Sequence, residues 1–134
     1  ELAQVAGDPA ILDVVHLGLG TDGHTASLFP GDPVLEIEDR SVALTKEHNG
    51  YRRMTLTLPV LSRARSVVWF ATGADKAGVV GELYAGGAPF PAGRVSRRRA
   101  MLVADEAAGR EASIPKRRRP KPRSVVVPIR SSDK

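Results

Sequence analysis

The sequence predicts an α/β fold with a mostly parallel sheet. Two observations carry this: three short apolar runs read as buried strands, and helical patterns stand between them. The runs are Ile11 to Leu17 (ILDVVHL), Ser66 to Ala71 (SVVWFA) and Ala100 to Ala104 (AMLVA). Each is too short for a helix of ordinary length and each gives way to glycine or polar residues.

The elements follow in order. After the first run come Gly18, Gly20 and Gly23, then Thr25 to Phe29, which could open a short helix stopped by PGDP at 30 to 33. Ser41 to Lys46 and Arg53 to Leu58 alternate with the strand period, and KEHNGYRR between them is a hairpin loop. Pro59 suits a first helical turn, so PVLSRAR reads as a short helix ahead of the second run. TGADKAGVVGELYAG then gives a glycine turn and a helix that places Ala77, Val80, Leu83 and Tyr84 on one face and ends at Gly86 and Gly87. DEAAG after the third run starts a last helical turn. No internal repeat is visible.

With 134 residues, the chain is long enough for one domain with a real core and too short for two full ones. It has no cysteine, which excludes disulfides and thiolate metal sites and fits a cytoplasmic protein. No apolar run approaches the roughly 20 residues that span a bilayer, and the N-terminus lacks the pattern of a signal peptide. Glu1 in place of an initiator methionine suggests a cut or partial chain.

The net charge of +5 is unevenly placed. Residues 113–134 hold eight Lys/Arg and one acid, which leaves twelve basic and fourteen acidic residues, a net −2, over 1–112. The body is therefore not a general nucleic-acid-binding domain. The segment IPKRRRPKPRSVVVPIRSSDK is proline-broken and basic and reads as a disordered tail. Contact with nucleic acid or an acidic membrane surface would be confined to it, and it has no aromatic residue to stack on bases.

In open α/β sheets, ligands bind at the carboxyl ends of the strands. HLGLGTDGHTASLFP, residues 16 to 30, stands at that place. Glycine lets backbone and ligand approach closely, and a tight turn there offers a row of amides to an anion. Asp22 and His24 are carried on that turn. GLGTDG matches the glycine positions of the dinucleotide fingerprint, but no acidic residue follows at the end of a second strand. Asp39, near the required distance, follows a Pro/Gly loop. Three scattered histidines form no metal-ligand pattern, and no cofactor is implied.

GLGTDGHTASLFPG as a whole resembles the signature of the 6-phosphogluconolactonase family, in the superfamily shared with glucosamine-6-phosphate deaminases. RMTLTLPVLSRAR, VVWFATGADKA, GRVS and LVADEAA continue the resemblance in the same order, over roughly residues 10 to 110. The resemblance implies a doubly wound, mostly parallel sheet flanked by helices, of which this chain holds the C-terminal part over 1–112. It implies hydrolysis of 6-phosphoglucono-δ-lactone to 6-phosphogluconate in the oxidative pentose phosphate pathway, with a phosphorylated sugar lactone as the small-molecule partner.

Ester hydrolysis needs an activated water, and a histidine, with an unperturbed pKa of ~6.5, suits the base role near neutral pH. His24 matches the family's catalytic histidine and Asp22 the aspartate that orients or polarises the site; a turn-capping role for Asp22 stays open. Lys76 matches a lysine that contacts the sugar phosphate, in a first helical turn where the backbone dipole also favours an anion. Arg53 matches a recurrent arginine and is read as a substrate or phosphate contact, with Arg52 its weaker neighbour. Gly18, Gly20 and Gly23 are read as bringing the backbone close to the anionic sugar. His16 is expected to pack on a sheet face, and His48 is assigned no role.

In the deaminases a glutamate stands five residues after the histidine; here that residue is Phe29, which favours lactonase over isomerase or deaminase chemistry. The family's SGGS/T phosphate loop and Asp-Glu-Arg segment do not occur in this sequence. Part of a doubly wound sheet would expose edges and apolar surface, so poor activity and stability of the chain alone are expected. The competing reading is a non-catalytic fragment or a binding module that acts through its basic tail.

Overall fold

The computed structural model describes residues 1–112. The charged tail expected over 113–134 lies outside the described residues. The elements are α1 (Leu2–Ala6), β1 (Val14–Gly18), β2 (Val42–Leu44), β3 (Met54–Leu56), α2 (Leu58–Arg63), β4 (Ser66–Ala71), α3 (Ala77–Ala85), β5 (Ala100–Ala104) and α4 (Glu106–Gly109).

The three apolar runs form one sheet of order β1-β4-β5, parallel throughout, with Val15 beside Val67 and Val67 beside Ala100. β2 and β3 pair antiparallel in a separate two-stranded sheet, Ala43 opposite Thr55. A βαβ unit runs from β4 through α3 to β5, the connection that parallel neighbours require.

Residues alternate across the main sheet. Val15, Leu17, Val67, Trp69 and Ala71 join one apolar cluster with Leu61 of α2, Val80 and Leu83 of α3, and Ala108 of α4. The opposite face carries Val14 at 62% exposure, Phe70 at 44% and Met101 at 60%. The strands were expected to be buried nearly throughout; instead, among the described residues, helices cover one face only. His16 stands on the open face with its ring against Phe70, centroids 4.3 Å apart, as the sheet-face reading anticipated.

Several boundaries differ from expectation. β1 starts at Val14 and not at Ile11, and both arms of the hairpin shorten to three residues. Leu58, expected to end a strand, opens α2 instead, because Pro59 behind it fits the first helical turn. Thr25 to Phe29 forms no helix. Ala26 takes a positive φ of 49°, and the Leu28 N–H closes onto the Thr25 carbonyl at 2.8 Å, which makes a tight turn. No helix among the described residues is long and apolar enough to cross a membrane.

Candidate active site

β1 ends at Gly18 and β4 at Ala71, so the loops that follow leave the same carboxyl edge of the sheet. The first loop closes on itself: the Gly20 N–H donates to the His24 carbonyl at 2.8 Å, and the Gly23 N–H to the Gly20 carbonyl at 3.0 Å. Thr25 is buried and its hydroxyl donates to the Gly18 carbonyl at 2.9 Å, which fastens the far side of the loop to the strand end.

Within this turn Asp22 Oδ1 accepts from the His24 backbone N–H at 3.1 Å and lies 2.6 Å from Nδ1 of the same residue. The carboxylate accepts, so Nδ1 is the donor of this contact, and in the neutral ring the lone pair then lies on Nε2, which has no hydrogen-bond partner among the described residues. Burial pushes the Asp22 carboxyl up, but the His24 backbone N–H and imidazole outweigh it and hold the group below the usual carboxylate range. Gly20 makes the pairing possible, because a Cβ there would overlap both the His24 ring and the Asp22 carboxylate.

A pocket of about 340 Å³ is lined by Gly18, Leu19, Gly20, His24, Ala26 and Lys76, together with Thr25. Lys76 ends a 3₁₀ turn (Ala74–Lys76) and caps α3, a tighter local structure than the helical first turn expected. Its loop is moored to α4: both carboxylate oxygens of Asp105 accept from the Gly73 N–H, at 3.1 and 3.2 Å, while Oδ1 also accepts from Ala108 N–H at 2.8 Å.

The other sequence-selected residues do not line this pocket. Gly23 has φ 77°, and a Cβ there would run into the Phe90 ring, so its contact is with the body of the protein. The Arg53 guanidinium stands 5.5 Å from the centre of the Phe29 ring and is not among the residues lining the pocket. Arg52 turns to the Thr45 carbonyl at 3.1 Å.

Sequence reading passed over His48 and Asp32. Phe29 packs against both His24 and His48, with ring centroids 4.7 and 4.2 Å apart. His48 Nε2 lies 2.8 Å from Oδ2 of buried Asp32, which also accepts from the backbone N–H groups of Val34 and Lys46. Burial pushes the Asp32 carboxyl up, and these three donors outweigh it and hold the group low. The signal was present in Asp32-Pro33, a capping residue followed by proline at the start of a 3₁₀ turn (Pro33–Glu36). The contact with His48, 16 residues away, has no sequence signature.

Fold and site together define an α/β protein with a carboxylate-oriented histidine and a lysine at the carboxyl edge of a parallel sheet. Residues 1–104 match the family described as glucosamine-6-phosphate isomerases/6-phosphogluconolactonase, and the chain belongs to that family. It is similar to the 6-phosphogluconolactonase of Synechocystis sp., 46% identical over 80 residues, covering 60% of this chain and 33% of that protein. The rat 6-phosphogluconolactonase is 42% identical over 110 residues, covering 78% of this chain and 43% of that one. The solved 6-phosphogluconolactonase of Trypanosoma brucei superposes with a TM-score of 0.68 at 30% identity, covering 81% of this chain and 49% of its own. The chain thus spans half or less of the length of these relatives. A monomeric glucosamine-6-phosphate deaminase shares the fold, with a TM-score of 0.65 at 16% identity.

Proposed function

We propose that this chain carries the base-bearing part of a site that hydrolyses 6-phosphoglucono-δ-lactone. The observation that carries the reading is the Asp22–His24 pair, which leaves Nε2 as a base in a pocket shared with Lys76. His24 Nε2 takes a proton from water as the water oxygen adds to the lactone carbonyl. The tetrahedral intermediate collapses with cleavage of the bond to the ring oxygen, which receives that proton from His24. One water is consumed and 6-phosphogluconate is formed. The Asp22 carboxylate holds the imidazole in the required tautomer and stabilises the imidazolium between the two steps. Lys76 supplies a cation for the sugar phosphate, and Gly18 and Gly20 let the backbone approach the ring.

Arg53, held near the Phe29 ring, is read as a further contact for the substrate or its phosphate, and Gly23 seats the turn on Phe90. Phe29 leaves the site without a second carboxylate, which supports lactone hydrolysis over deamination. The cysteine-free sequence supports a cytoplasmic setting.

The test is the rate of lactone hydrolysis above the spontaneous background, for the chain and for His24→Ala, alone and with the N-terminal half of a related lactonase added. Activity in either condition that disappears in His24→Ala is expected. A folded chain that is silent in both would sink the proposal and favour a non-catalytic fragment.

A further inference from the structure

A second concavity, of about 370 Å³, opens at the amino end of the sheet, opposite the His24 pocket. It is lined by Ser62, Arg63, Arg65, Ser96, Arg98 and Arg99. Two segments supply its polar lining, one running from the end of α2 into β4 and the other leading into β5, and apolar Ile11 ahead of β1 adds to it. Both are fixed to the sheet: the Arg65 N–H donates to the Leu12 carbonyl at 2.8 Å, and the Val67 N–H to the Arg99 carbonyl at 3.0 Å. The six residues of β4 separate the two pockets by roughly 20 Å.

We propose that this concavity is an anion site for a small diphosphate-type group, independent of the lactonase reading. Residues 1–112 carry a net negative charge, yet four of their twelve basic residues line this one depression. Most other arginines of the body are engaged: Arg40 with Asp39, Arg94 with Glu36, Arg52 and Arg97 with backbone carbonyls. In the concavity only Arg65 has an acidic neighbour, Asp13 at 3.0 Å, and both are well exposed. Arg63 reaches the Ala10 carbonyl at 3.4 Å. The guanidinium groups of Arg98 and Arg99 have no hydrogen-bond or ion-pair partner among the described residues.

Four guanidinium groups against one carboxylate repel one another, and a multiply charged anion between them relieves that repulsion. Guanidinium forks match phosphate oxygens two at a time. The Ser62 hydroxyl oxygen accepts from the Ser96 N–H at 3.2 Å, which leaves its own O–H to donate into the concavity. The volume lies at the small end of the ~300–1,000 Å³ of ligand pockets. No aromatic side chain lines it, so stacked bases of a nucleic acid have no platform. Both points select a compact phosphate group over a polymer.

The experiment is calorimetric titration of the full chain with inorganic diphosphate at fixed ionic strength, with sulfate as the control anion. Variants are Arg98→Gln/Arg99→Gln and Lys76→Ala. Expected are saturable one-to-one binding stronger than sulfate, weakening of about tenfold or more in the double variant, and no change in Lys76→Ala. Arg98 and Arg99 are exposed, so the double variant should keep the parent's circular dichroism and melting. Absence of saturable binding overturns the proposal, as does an affinity equal to that for sulfate. So does an affinity unchanged in the double variant, which assigns the anion to the basic tail, or lost in Lys76→Ala, which assigns it to the His24 pocket.

Discussion

Asp32 offers the sharpest test of how the candidate site is braced. Its side chain is 1% exposed and accepts from Val34 N–H at 2.9 Å, Lys46 N–H at 3.1 Å and His48 Nε2 at 2.8 Å. Asp32→Ala strands all three donors. A buried donor without a partner costs about 1–3 kcal/mol; Lys46 and His48 lie near water, which recovers part of their share. The expected loss is therefore about 2–4 kcal/mol for alanine. In Asp32→Asn the amide oxygen keeps the Val34 bond, and the amide N–H₂ can donate to the other tautomer of His48 but opposes the Lys46 N–H. A loss of about 1–2 kcal/mol follows. Urea unfolding with a shared slope reads both losses from the midpoints.

The pH dependence has a definite sign. The three donors hold the folded Asp32 below its ordinary value despite burial. Its stabilisation is present above the unfolded carboxyl pKa of ~3.9 and is lost as pH falls through the lower folded value. The gap between the parent chain and Asp32→Asn should narrow on acidification below about pH 4. An alanine variant within about 0.5 kcal/mol of the parent, or a gap that widens in acid, would show that Asp32 does not brace this loop.

Other consequences can be measured alongside. Gly23→Ala forces a side chain onto a φ of 77° and into Phe90, so it should lose about 1–3 kcal/mol; an unchanged melting temperature counts against it. Leu28→Ala, at a fully buried position (0% exposed), should cost about 2–5 kcal/mol in the same unfolding assay. Asp22→Asn removes the charge that orients His24. It should lower kcat for lactone hydrolysis on the order of 10²-fold with little change in KM, and a pure KM effect would contradict the assigned role. Lys76→Ala should show the opposite pattern, a raised KM for the phosphorylated lactone beside a smaller loss in kcat, and an unaltered KM would remove the lysine from the phosphate.

Much of the sheet was legible because its strands are contiguous apolar runs cut off by glycine or polar residues, as in SVVWFA and AMLVA. Asp22 and His24 were singled out by their resemblance to the family signature, and their contact is local, made within a single turn. What could not be read depends on distant partners. Periodicity shows that Val14 and Met101 are apolar but not which face of the sheet the helices cover. Thr25 to Phe29 looks helical until Ala26 adopts its positive φ, a choice set by the Thr25 and Leu28 contacts of the turn. The Asp32–His48 pair and the arginine cluster join loops far apart in the chain, and local pattern carries no trace of them.

Asp22 and His24, the proposed carboxylate and base, are two residues apart in a self-bonded turn, whereas Lys76 follows β4 on a loop whose Gly73 is moored to Asp105. These two parts of the site should therefore fail in sequence as the protein is warmed. The moored loop can peel from the sheet edge by local opening while the Asp22–His24 turn stays closed. Substrate affinity would then decay at lower temperatures than intrinsic turnover. On the proposed lactonase reading, the site would lose its grip on dilute substrate first and keep its chemistry for substrate in excess.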